Sequence, residues 1–286
     1  MDVEELLQRA FDLRSTPVNT RKTYRYCIYV FEKYFDRDVT ELGRPQVEDF
    51  LLHLVRERRL KASSHNVYAS ALRFLYDVAL ERPEVMARIA RRKQDMRLPV
   101  LLSPTQIVQL LCAVRSIAVR TVLVLAYGAG LRVSEACRLR VEDIDSRAML
   151  LHIRTTKRGR ERYVMLSPRL LSALRAYWRA RRPVGPELFP GRAGKGILRR
   201  TSVARAMHAA VQQVGLTGVT PHTLRHCFAT ALLEQGVDLR TVQVLLGHGS
   251  LRSTTLYVHV TTARVQHIAS PLDRLPTKRP SVSKPG

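Results

Sequence analysis

Carboxylates are in short supply in this chain. Its 24 Asp and Glu stand against 48 Lys and Arg, leaving a formal net charge of +24 over 286 residues. A folded segment so poorly compensated seeks a polyanion, and nucleic acid is the usual one. The deficit is uneven: residues 1–99 hold 19 basic against 15 acidic side chains, a net of +4, whereas residues 100–286 hold 29 against 9, a net of +20. Lysine is scarcer still, 8 against 40 arginines. Arginine suits bidentate phosphate contacts, although GC-rich codons would give the same bias.

Cysteine is rare as well. Cys27, Cys112, Cys137 and Cys227 form no CxxC pair and fall inside apolar helical patterns. They read as small buried hydrophobes in a reducing compartment, which excludes a disulfide framework. Long apolar runs are missing. The longest, Thr121 to Leu131, is about half a membrane span, so it reads as a buried helix and no membrane partner is expected. Met1 to Ala10 is acidic and carries no apolar h-region, so no signal peptide is expected there and the cytoplasm is the expected location. No internal repeat is visible.

What the chain does carry is helical periodicity, interrupted once. The stretches Val3 to Leu13, Thr20 to Phe35, Pro45 to Arg56 and Asn66 to Leu80 place apolar residues at spacings of three and four. They predict an all-helical domain over residues 1–90. Ser63 and Ser64 are the expected cap of the fourth helix, and Arg21, Lys22 and Arg25 the expected basic outer face of the second. A charged, unpatterned linker, residues 91–99, follows; it could lie along a DNA backbone or be a solvated tether. Ser103-Pro104 opens the next helix, and Ile117 to Ala129 is a central, nearly all-apolar one. Ala148 to Ile153 and Tyr163 to Leu166 predict a β-hairpin turning through KRGR. Helices over Pro168 to Arg181, Arg199 to Val214, His222 to Gln235 and Leu239 to Leu246 complete a domain over residues 100–270. Residues 271–286, rich in Pro, Ser and Lys, are expected to be disordered. The fold class is therefore mainly α with a small β-hairpin or sheet, in two domains.

The chemistry concentrates in Pro221 to Val260, PHTLRHCFATALLEQGVDLRTVQVLLGHGSLRSTTLYVHV. His222 and Arg225, at i and i+3, share one helix face and can present two donors to one anionic oxygen cluster. His248 precedes a glycine, and Tyr257 follows on a separate short amphipathic segment. Arg, His, His and Tyr around one anion suggest phosphoryl transfer with a tyrosine nucleophile and no metal. His222 and His226, at i and i+4, also have zinc-pair spacing, but Thr223 stands where a metalloprotease has Glu and no nearby acid or Cys completes a ligand set. His226 is expected to be an interior or supporting histidine, with no metal and no cofactor.

HTLRH followed by LGHGSLRSTTLYVHV resembles the tyrosine recombinase (phage integrase) family in its short, Xer-like and integron-integrase-like form. Upstream, GLRVSEACRL at Gly130 to Leu139 resembles that family's first arginine box, and RTTKRGRERYVML at Arg154 to Leu166 its lysine-bearing hairpin. The resemblance is strong over residues 100–262 and rests on general layout alone before that. It implies a helical core-binding domain that helps clamp the duplex, followed by a mixed α/β catalytic domain. It also implies a catalytic set of Arg132, Lys157, His222, Arg225, His248 and Tyr257. Arg132 and Arg225 would clamp the scissile phosphate, and Tyr257 would be the nucleophile. Lys157 would be the general acid, since an amine can give up its proton near neutral pH and a guanidinium cannot. His222 and His248 would donate hydrogen bonds or move the tyrosine's proton. Glu135, one turn after Arg132, would fix the guanidinium's orientation, and Arg158 and Arg160 would join Arg21, Lys22 and Arg25 in binding DNA.

The implied activity is site-specific recombination of double-stranded DNA through a 3′-phosphotyrosyl intermediate, without metal or ATP, by four copies of the chain on two DNA sites. Two alternatives stay open at this stage: a DNA-binding accessory protein that does not cleave, and a type IB topoisomerase-like relaxing enzyme. KRGRER departs from relatives that place a Gly after the Lys, and the Pro-rich tail is unlike a long docking helix.

Overall fold

The computed structural model describes residues 2–93, 100–154, 161–194, 196–247 and 268–276. The protein is mainly α with one small antiparallel sheet. Contacts divide it into two units, Met1–Arg97 and Leu98–Gly286, each with its own apolar core. No helix among the described residues is long and apolar enough to cross a membrane.

In the N-terminal unit, helices α1 (Val3–Leu13), α2 (Val18–Phe35), α3 (Arg44–Arg56) and α4 (Ala62–Arg73) close around Phe11, Phe31, Phe50, Leu72 and Tyr76, all essentially sealed from water. The apolar spacing of three and four is what lets each helix offer one face to that core. Two local expectations change. Lys61 is the N-cap of α4 and makes no side-chain cap bond, so Ser63 and Ser64 lie within the first turn instead of capping it. Its continuation widens into a π-turn over Phe74–Ala79, which carries the Tyr76 hydroxyl to the carbonyls of Val39 and Leu42 at 3.1 and 3.3 Å. The ordered chain also runs past the expected boundary at residue 90. Asn66 brackets Arg92, donating to its carbonyl at 2.9 Å and accepting from its N–H at 2.9 Å, and Arg73 donates to Ile89 O at 2.7 Å.

The C-terminal unit begins with α5 (Pro104–Ala113), where Ser103 and Gln106 form the reciprocal cap that the Ser-Pro pair announces. The apolar α6 (Ile117–Gly128) is central, packing against α5, α8 (Pro168–Arg181), α9 (Arg200–Gln213) and α10 (Pro221–Glu234). After a glycine turn comes the one-turn α7 (Val133–Ala136). The sheet has order β1-β2-β3, from β1 (Ile144–Asp145), β2 (Leu150–Ile153) and β3 (Arg162–Met165), with Ile144 opposite Leu151 and Leu151 opposite Val164. The hairpin is thus joined by a two-residue strand too short to leave a periodic signal. Helix α11 (Leu239–Leu246) closes on Gly247 in the left-handed conformation.

The expectation of disorder from residue 271 does not hold for 271–276. Pro271–Arg274 form a 3-10 turn whose Leu272 and Leu275 are buried. Ser270 Oγ donates to Gly128 O at 2.5 Å, Ser167 Oγ to Asp273 at 2.8 Å, and Arg169 Nη1 to the carbonyls of Leu272 and Leu275 at 2.9 and 2.5 Å. A few apolar residues in a polar stretch suffice once a helix offers bare backbone to receive them: a Cβ on Gly128 would stand 2.9 Å from Leu272 Cδ2. Residues 277–286 lie outside the described residues.

Candidate active site

The site is built at the turn that ends α6. Gly130 takes φ +65°, and the place where a Cβ would stand is filled by the Phe228 ring, 2.5 Å away. Only glycine meets both conditions. The turn delivers Arg132 to the N-cap of α7 with its side chain 40% exposed. Glu135, three residues on, holds it twice: Oε2 accepts the Arg132 backbone N–H at 2.8 Å and Oε1 accepts Arg132 Nη1 at 3.0 Å.

Arg225 reaches the same place from α10. Its side chain is 3% exposed, with Nη1 3.7 Å from Glu135 Oε2. That nitrogen donates to Gly130 O at 2.6 Å, and Nη2 donates to Leu246 O. One guanidinium therefore ties the glycine turn to the end of α11, where helix geometry leaves carbonyls without intrahelical partners.

A third guanidinium, absent from the expected site, completes the group. Arg162 opens β3 with a side chain only 9% exposed. It donates from Nη1 and Nη2 to Glu135 Oε1 and Oε2 at 3.1 and 2.8 Å, and from Nε to Leu245 O at 2.8 Å. The signal that would have found it is parity. Side chains alternate along a strand, and Arg162 shares its side with Val164, which is fully buried. A charge on the inward side calls for a buried partner.

Three guanidiniums thus surround one carboxylate. Burial works to raise the Glu135 pKa, and the hydrogen bonds and charge of Arg162, then the Arg132 N–H and guanidinium, more than offset it, so the carboxyl is held below its ordinary value. Burial, then the charge of Arg132, press the Arg225 guanidinium down to about 9, against the opposing pull of Glu135, which still leaves it protonated at neutral pH. Like charges this close, with a single carboxylate between them, leave a cationic centre that one further anion would relieve.

Of the remaining expected residues, His222 stands exposed in the first turn of α10, one turn before Arg225. His226 is exposed instead of interior, its ring edge-on to His222 with centroids 4.7 Å apart. Among the described residues no group of three His, Cys, Asp or Glu is arranged to hold a metal ion. Lys157, Arg158, Arg160, His248 and Tyr257 lie outside the described residues. The lower edge of the expected lysine turn is fixed nonetheless: Arg154 Nε donates to the buried Asp143 at 2.6 Å, and Asp143 accepts the Arg140 N–H at 2.8 Å.

The expected basic face of α2 is rearranged. Arg21 donates to Asp12 and Thr16 O, both at 2.7 Å, and Arg25 donates to Glu4 at 2.6 Å and Gln8 at 2.8 Å. Both guanidiniums lie over Phe11. They fasten α1 to α2, and Lys22 alone of the three is exposed.

The phage integrase family model matches residues 101–264, a span that contains the whole cluster. The chain belongs to that family, the tyrosine recombinases. The phage integrase N-terminal SAM-like domain matches residues 5–84. This recombinase is 38% identical over 282 residues to the Sinorhizobium fredii protein y4qK, covering 98% of this chain and 91% of that one. It is 32% identical over 267 residues to tyrosine recombinase XerA of Pyrococcus horikoshii, covering 93% and 91%. In fold it is similar to a lambda integrase dimer bound to a core site, with a TM-score of 0.70 and 20% identity over 87% of this chain and 96% of that one. The recombinase is a tyrosine site-specific recombinase by these relationships, and Arg132, Glu135, Arg162 and Arg225 all fall within the matched span.

Proposed function

We propose that the recombinase cuts and rejoins double-stranded DNA by transesterification at the cationic cluster, with Tyr257 as nucleophile and neither metal nor ATP. The observation that carries this reading is the convergence of Arg132, Arg162 and Arg225 on one carboxylate, with Arg132 left facing outward. The pentavalent transition state concentrates negative charge on the non-bridging phosphate oxygens, and preorganised guanidiniums neutralise that charge without having to reorient. In the reaction the Tyr257 phenolate oxygen bonds to phosphorus as the bond from phosphorus to the 5′ oxygen breaks. Lys157 gives the departing oxygen its proton. The product is a 3′-phosphotyrosyl link and a free 5′ hydroxyl, and attack by the 5′ hydroxyl of a partner strand reverses the sequence and reseals the backbone. His222 and His248 donate to the phosphate oxygens or carry the tyrosine's proton.

Duplex DNA is the partner this charge distribution favours, and the lambda integrase of similar fold is bound to a core site. Lys22, Arg158 and Arg160 contact backbone phosphates in this reading, whereas Arg21 and Arg25 act mainly within the N-terminal unit. Exchange between two duplexes calls for four active sites, hence a homotetramer on two DNA sites, working in the cytoplasm where bacterial DNA lies. The test is covalent trapping on a nicked duplex built from a site that the chain selects out of a random-sequence pool. The wild type yields a detergent-stable adduct, Tyr257→Phe yields none, and EDTA leaves the adduct intact. An adduct that survives in Tyr257→Phe refutes the nucleophile, and loss of the adduct on chelation refutes the metal-free mechanism.

A further inference from the structure

Arg162 is tied into the site by three hydrogen bonds, and all three go to groups of the chain itself. Nη1 and Nη2 are fixed on the two oxygens of Glu135, Nε on Leu245 O, and the side chain is 9% exposed. It also fills the space behind Gly247: a Cβ there would stand 2.8 Å from Arg162 Nη1. Glu135 in turn holds both the backbone N–H and the guanidinium of Arg132. Next to the carbonyl that Arg162 caps, Leu246 O takes Arg225.

The geometry points to Arg162 as a positioning residue for catalysis. By bridging Glu135 and the last turn of α11 it sets the aim of Arg132, and it seats the carbonyl beside the one that orients Arg225. This rests on the reading that the cluster is where the phosphate reacts. The role is geometric, because three acceptors in a fixed fork are matched by three nitrogens of one planar group. A lysine at this position would keep the charge and supply a single point donor, so it cannot span both carboxylate oxygens and the carbonyl together. An arginine acting only through its charge would be replaceable by lysine.

The experiment compares wild type, Arg162→Met, Arg162→Lys, Glu135→Gln and the Arg162→Met/Glu135→Gln pair as full-length proteins. Two quantities are read. One is the affinity for the intact selected duplex by mobility shift; the other is the single-turnover rate of covalent adduct formation on its nicked form. We expect affinity within about twofold of wild type and a cleavage rate lowered about 10²-fold in Arg162→Met, the scale of a misplaced reacting geometry. Arg162→Lys should fail to restore the rate, and the double variant should be little slower than either single one. A wild-type rate in Arg162→Met, recovery in Arg162→Lys, or additive losses in the pair would overturn the assignment, as would affinity falling in step with rate. If Arg162→Met does not fold, as judged by thermal melting, Arg162→Lys decides: slow cleavage at intact affinity supports the role, and a wild-type rate removes it. Failure of the wild type to form any adduct would instead sink the transesterification reading and leave the positioning claim without a reaction to serve.

Discussion

The two units use arginine in opposite ways. In the N-terminal unit guanidiniums meet acids one to one at the surface: Arg21 with Asp12, Arg25 with Glu4, Arg37 with Glu41, Arg44 with Glu48. Such pairs stabilise little, since water solvates either partner nearly as well. In the C-terminal unit three guanidiniums share the largely buried Glu135. There the imbalance is the point, because compensated charge anchors helices and uncompensated charge held by rigid partners attracts an anion. A basic composition therefore marks a nucleic-acid protein, and only the pairing pattern shows which arginines are engaged with the chain itself.

The comparison breaks most visibly at the level of rate. Arg132→Ala should lower single-turnover cleavage by about 10²–10³-fold, roughly 3–4 kcal/mol of transition-state stabilisation. Arg21→Ala should leave the rate of DNA-saturated enzyme unchanged. Equal losses in the two variants would erase the distinction between the units.

Next in size is the shared carboxylate. Glu135→Gln leaves clustered guanidiniums without their counter-charge, at a cost on the order of 3 kcal/mol at neutral pH, read by denaturant melts. The sign with pH follows from the lowered pKa of Glu135. Its contribution is fully present above the ordinary value of 4.5 and is lost as pH falls through the depressed folded value. The gap in stability between wild type and Glu135→Gln should therefore narrow from neutral pH toward pH ~3; a gap constant across that range would mean that the charge is not what stabilises.

Backbone shape sharpens the contrast further. Gly130→Ala sets a methyl against the Phe228 ring at φ +65° and should cost about 2 kcal/mol. Asp36, the left-handed C-cap of α2 at φ +51°, sits at an exposed surface position. Asp36→Gly should change stability by no more than about 1 kcal/mol. Arg21→Ala stands at the same small scale, at most about 1 kcal/mol of the N-terminal unit's stability, with DNA affinity altered less than by Lys22→Ala in a mobility-shift series. A larger affinity loss for Arg21→Ala would return it to the DNA face.

Local chemistry was legible in the sequence and distant pairing was not. Ser103-Pro104, the short Leu239 to Leu246 stretch and the apolar spacing of α6 are each set within a few residues, and the structure has a cap, a helix closing on Gly247 and a central helix there. Arg132 and Arg225 were nameable because their short motifs are distinctive, and the structure brings both to Glu135. Arg162 has no distinctive motif around it, and its partners lie 27 and 83 residues away. The orientation of Arg21 and Arg25 depended on where α1 packs, which no property of α2 reveals. The π-turn at Phe74–Ala79 follows from a tertiary demand on Tyr76, and the buried turn at Pro271–Arg274 from a vacancy beside Gly128.

That last attachment gives Tyr257 a fixed point on either side of it in the sequence. Gly247 has Arg162 packed behind it, and Ser270 is fastened to the carbonyl of Gly128, two residues from the Gly130 carbonyl that holds Arg225. Tyr257 lies ten residues after the first fastening and thirteen before the second. At no more than about 3.5 Å per residue, the shorter arm confines its backbone to within ~35 Å of Gly247. While the Ser270 fastening holds, the tyrosine is bounded by a second arm as well, and its reach from Ser270 is limited to thirteen residues of chain.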